Sequence, residues 1–211
     1  MASRSSVLPL LLAVLAGAVA VSAHRYGAGK CANVTPMDDF DASRMVGLWY
    51  VHRAFSTSST CLTFNYTLTT TGLEVVETKE LRALDAVGLD HKYSSVGTLK
   101  DNGLPGAYQA SFSTNPLKSK YVIISTDYDN YAGVFHCQHW AKLVHRRNVY
   151  VLSRSRDIEE IYIEKIRRRM LVFDLEPEQL ESVSHEACTD RADSDFDVRL
   201  DGSLFDLRDK E

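Results

Sequence analysis

The chain has 211 residues, a formal net charge of −4 and 45% hydrophobic residues. That length supports one ordinary domain with a real core, and a mild negative balance without a basic stripe excludes nucleic acid as a partner, since nothing would neutralise a row of phosphates. Its four cysteines, Cys31, Cys61, Cys137 and Cys188, are spaced too widely for a zinc ribbon or a Cys-x-x-Cys redox pair.

Residues 1–23 read as a secretory signal peptide. Arg4 is their only charge, Val7 to Val21 is almost wholly apolar, and Val21-Ser22-Ala23 supplies the small residues of a cleavage site. Cleavage after Ala23 would leave 211 − 23 = 188 residues and, with Arg4 gone, a charge of −5. No later segment reaches a membrane-spanning length, so a secreted, extracellular protein without a transmembrane segment is expected. An even cysteine count in an oxidising compartment predicts two disulfides, with three connectivities open.

Residues 24–36 read as loop, and 38–45 as a single helical turn. Period-two alternation then predicts eight strands at about 47–56, 61–70, 73–82, 92–100, 106–114, 119–126, 130–139 and 147–154. Turn chemistry separates them, at Thr71-Gly72, Asp101-Asn102-Gly103, Asn115-Pro116 and Asp127 to Asn130. Consecutive antiparallel strands with short connections predict an all-β, eight-stranded up-and-down β-barrel.

After the strands, Ile158, Ile161, Tyr162, Ile166 and Met170 recur at helical spacing. Asp157 and Glu160 offer a capping box, and Arg167-Arg168-Arg169 falls in the last turn, where cations favour the helix dipole. One α-helix packed outside the barrel is predicted, followed by a short strand within 179–184. Residues 24–188 form the domain on this reading. Residues 189–211 are an acidic tail, expected to be mobile.

Two Asn-x-Thr acceptors, Asn33 and Asn65, occur in the exported part. If Asn65 faces solvent, Thr63 and Thr67 share its face and Leu62, Phe64, Tyr66 and Leu68 point inward. This is the partition that a barrel wall with an apolar interior requires.

Gly47-Leu48-Trp49-Tyr50, Thr126-Asp127-Tyr128 with Asn130-Tyr131, and Arg154 after the last strand stand in the order and spacing of the lipocalin signatures. The chain resembles the lipocalin family and, within it, apolipoprotein D-like secreted members, which share Cys61 to Leu68, Glu80-Leu81-Arg82 and Thr126 to Ala132. The likeness spans roughly residues 30–188 and stops before the tail.

That resemblance implies a calyx closed at one end by Gly47, Trp49, Thr126, Asp127 and Arg154, with the arginine lying across the Trp49 ring. It implies disulfides Cys31–Cys137 and Cys61–Cys188. Alternation and matched positions give a ligand site of Phe64, Tyr66, Leu68, Phe112, Tyr121, Ile123, Val134, Tyr150 and Leu152, with Ala132 beside Val134 and ordinary core packing as the competing reading. Arg82 stands where it would meet a carboxylate at the mouth, or be a solvated strand end.

No enzyme is expected, because a lipocalin isomerase needs a free thiol and no nucleophile motif surrounds the serines or histidines. His136 and His139 fall on opposite strand faces, so no metal site is expected. The expected function is extracellular binding and transport of a small hydrophobic ligand such as a fatty acid, sterol or retinoid. No cofactor is expected beyond a bound bilin or carotenoid pigment. The alternative is a largely filled barrel acting through its surface, or as an oxidant scavenger through an exposed Met37. A cell-surface receptor leaves no mark in the sequence.

Overall fold

The computed structural model describes residues 25–55, 57–81, 91–140, 143–188 and 196–200. The signal-peptide reading of residues 1–23, and Arg82, lie outside the described residues.

Eight antiparallel strands form the barrel: β2 (Gly47–Phe55), β3 (Ser59–Thr69), β4 (Gly72–Leu81), β5 (His91–Asp101), β6 (Ala107–Phe112), β7 (Asn115–Thr126), β8 (Tyr131–Trp140) and β9 (Val144–Ser153). Each pairs with the next, and β9 closes on β2 through Tyr50↔Ser153 and Val51↔Leu152. Closure pairs strand edges that would otherwise be exposed. Alternation holds where the barrel is two-sided: Leu62, Phe64 and Tyr66 are buried, while Asn65 and Thr67 are exposed.

Several boundaries differ from the sequence reading. A short strand β1 (Arg25–Ala28) pairs with β9 in what reads as loop. The β6–β7 hairpin turns at Ser113-Thr114, so Asn115 opens a strand instead of a turn. A single helical turn, α1 (Ala42–Met45), begins at Asp41, whose carboxylate accepts from the Ser43 amide.

The outer helix α2 (Glu160–Leu171) starts after Glu159 with no side-chain cap, so Asp157 and Glu160 do not form the expected box. The Asp157 carbonyl is instead bonded by the hydroxyls of Ser153 and Ser155. Its buried face is Ile163, Ile166 and Met170, while Ile161 is exposed. This face packs against Phe55, Val122, Ile124, Phe135, Val149 and Val151 on the outer wall. Arg167 pairs with Glu164, and Arg169 donates to the Ile124 carbonyl, so two of the three arginines are spent locally.

Beyond α2, β10 (Leu180–Ser182) adds to β2. Within the tail expected to be mobile, Phe196–Leu200 forms β11, which runs parallel to β5 from His91 to Ser95. The physical reason is an open edge: β6 pairs with β5 only from Gly97 onward, so the backbone edge of β5 over 91–95 can take a further strand.

Candidate functional site

At the closed end Trp49 is fully buried, and its indole N–H donates to the Met45 carbonyl at 2.9 Å. The Arg154 guanidinium lies 3.8 Å from the Trp49 ring centroid. It also donates to the carbonyls of Tyr128, Leu48 and Arg44 at 3.1, 3.1 and 3.0 Å. Gly47 has φ +100 and would bring a Cβ within 3.2 Å of Arg154 Nη1, so a larger residue would be strained there. Thr126 Oγ1 accepts from the Tyr128 amide and donates to the Tyr131 carbonyl. Burial opposes charge on Asp127, but bonds from Asn130, Tyr131 and Asp129 outweigh it and hold the carboxyl below its ordinary range. The five residues expected at the closed end therefore meet there.

Cys31–Cys137 and Cys61–Cys188 are bonded, the pairing that the resemblance implies. Both acceptor asparagines, Asn33 and Asn65, are exposed.

Above Trp49 the interior is filled. Phe64, Tyr66, Tyr121, Ile123, Ala132, Val134, Tyr150 and Leu152 belong to one buried cluster. The Tyr66 and Tyr121 phenols share a hydrogen bond, and burial raises the pKa of both. Phe64 packs edge-on against Tyr150 with centroids 4.9 Å apart. Leu68 has inward parity but is 52% exposed. Strand β2 pairs with β3 only as far as Gly47↔Tyr66, so Leu68 runs past the barrel and is not part of an interior site.

Toward the open end lies a cavity of about 270 Å³. Of the expected ligand set, Phe112 and Tyr150 line it, joined by Leu62; the remaining inward residues pack beneath as its floor. Phe112 depends on Gly97, where a Cβ would fall 2.5 Å from the phenyl ring. The rim is more polar than the alternation suggests, with Glu77, Lys79, Arg146, His136, Asn115 and Asn148 among its residues. Lys79 binds Glu77 at 2.9 Å, and that neighbouring carboxylate raises the lysine pKa. His136 shares a 2.7 Å bond with Ser119 Oγ. Burial pushes the Tyr150 phenol well up, with the Glu77 charge adding and the Arg146 charge opposing.

Arg146 is absent from the expected set because the predicted eighth strand starts at 147, whereas β9 begins at Val144. Its inward parity with Asn148, Tyr150 and Leu152 is the signal that a longer strand carries. His139 is exposed while His136 is buried, and the described residues contain no cluster of three or more metal-ligating side chains. Met37, expected to be exposed, is partly buried against the inner cluster.

A sequence model of the family described as Triabin matches residues 24–159. Apolipoprotein D of Cavia porcellus is 26% identical over 185 residues, covering 86% of this chain and 96% of that protein. Apolipoprotein D of Bos taurus is 30% identical over 150 residues, covering 69% of this chain and 78% of that protein. Insecticyanin of the tobacco hornworm Manduca sexta shares the fold, with a TM-score of 0.63 at 18% identity over 84% of this chain and 96% of that one. The calyx, the closed end under Arg154 and these matches agree: the chain belongs to the Triabin family of the lipocalins and is apolipoprotein D-like.

Proposed function

We propose that the chain is a secreted carrier that holds a small hydrophobic ligand in the open half of its barrel. The observation that carries this reading is the cavity of about 270 Å³ above an aromatic floor, walled by Leu62, Phe112 and Tyr150. A concave, partly apolar space with a few convergent polar groups is what a small-molecule site requires. Because Tyr66 and Tyr121 close the lower half, the ligand occupies the mouth and does not reach Trp49.

Two disulfides favour an oxidising, extracellular setting, in line with a signal peptide over residues 1–23. Among the described residues no helix is long and apolar enough to cross a membrane. Exposure of Asn33 and Asn65 supports glycosylation at both. The role is binding and carriage without a catalytic step. A bilin or carotenoid belongs to the same ligand class and would show as colour. The scavenging alternative loses its main support with Met37 packed against the core.

The test is purification of the glycoprotein from its native source, followed by an absorption spectrum and mass spectrometry of an organic extract. A stoichiometric small hydrophobic molecule is expected. Protein that emerges empty, and whose emission ignores lipids and pigments, would contradict the reading.

A further inference from the structure

We propose that Arg146 anchors the carboxylate of an amphipathic acid, so that the ligand of the mouth cavity is an acid and not a neutral lipid. This rests on the carrier reading above and names the chemistry of its ligand.

Glu77 and Lys79 neutralise each other at 2.9 Å. Gln138, directly opposite Arg146 in the β8–β9 register, accepts from Asn115 and donates to the Leu117 carbonyl. Asn148, the next inward residue of β9, spends its carbonyl on the Phe55 amide. Arg146 is different. Its Nε is sealed from solvent and has no hydrogen-bond partner, one of two such buried side-chain atoms among the described residues. With Glu77 and Lys79 cancelling, Arg146 also leaves the described lining of the cavity with one unbalanced positive charge.

The Nε itself is out of a ligand's reach, but the unbalanced guanidinium charge on the cavity lining is relieved only by an anionic acceptor. A guanidinium presents paired N–H groups in a plane, and a carboxylate matches them with two oxygens. The rest of the ligand then has a defined place. Along β9 the four steps from Arg146 to Tyr150 span roughly 13 Å, which a medium-length acyl chain covers. Its tail would end on the Tyr150, Phe112 and Leu62 surfaces.

The experiment compares dodecanoic acid with methyl dodecanoate by titration of intrinsic emission, using the full mature chain and the variants Arg146→Gln and Arg146→Lys. In the unaltered protein the acid should bind about tenfold tighter than the ester or better. In Arg146→Gln the preference for acid over ester should vanish, and cooperative thermal unfolding of the variant shows that it is folded. Arg146→Lys should keep part of it. Equal binding of acid and ester by the unaltered protein, or a preference that survives Arg146→Gln, would overturn the anchor and leave the carrier reading standing. Binding of neither compound, nor of retinol, would overturn both.

Discussion

Tyr66 on β3 and Tyr121 on β7 join their phenol oxygens in a hydrogen bond at the centre of the barrel, each with about 1% of its surface exposed. This bond divides the interior into a filled half resting on Trp49 and an open half beneath the mouth. Removing one hydroxyl strands the other in a buried site. Tyr121→Phe should therefore cost about 1–3 kcal/mol, whereas the double Tyr66→Phe, Tyr121→Phe variant should cost less than the sum of the singles. Urea unfolding of the three variants checks this, and strict additivity would contradict it.

Arg154 holds the closed end through one ring and three carbonyls. Arg154→Lys keeps the charge but loses the planar fork. It should destabilise by about 1–3 kcal/mol, with Arg154→Ala costing more. Trp49 emission during thermal unfolding reads the loss, and ligand affinity should change little because the cavity lies at the other end. A variant that keeps full stability but loses binding would reverse the division of labour between the two ends.

Much of this was legible from alternation alone. Leu62, Phe64 and Tyr66 against Asn65 and Thr67 fix both the strand and its facing, since the period of a strand admits no third side. Alternation tells facing but not depth. It could not show that Leu68 outruns the end of β2, or that Tyr66 and Tyr121 meet and make a floor where a pocket was expected. Arg146 and the Glu77–Lys79 pair were hidden for a different reason. They are charged residues on an inward face, and polar residues near a barrel mouth look like the end of a strand. Strand β1 was missed because its four residues, with Gly27 among them, carry too little pattern to outweigh turn composition.

The outer wall carries a pH-sensitive contact. His52 and His185 lie with ring centroids 5.3 Å apart, their Nε2 atoms bonded to the carbonyls of Ser155 and Val51. Burial first lowers both below the ordinary 6.5; the His185 ring and Arg53 add to this at His52 and Arg156 at His185, against the carbonyl bonds and, at His52, Asp157, which favour protonation. The unfolded chain therefore takes up protons before the folded one. Stability should be complete above pH 6.5 and decline as the pH falls below it toward the folded-state values. His185→Gln should flatten this decline, as read by urea midpoints across the range. An unchanged slope would contradict the assignment.

If the mouth cavity is the binding site, filling it must abolish or weaken binding. Ser95 is 4% exposed and lines the cavity. The measurement is a titration of the unaltered chain and Ser95→Phe with retinol and dodecanoic acid, beside thermal unfolding of each. Saturable binding at one ligand per chain is predicted, with at least about tenfold weaker binding by a Ser95→Phe protein that still unfolds cooperatively. Equal affinity in the two proteins would place the ligand outside the mouth cavity.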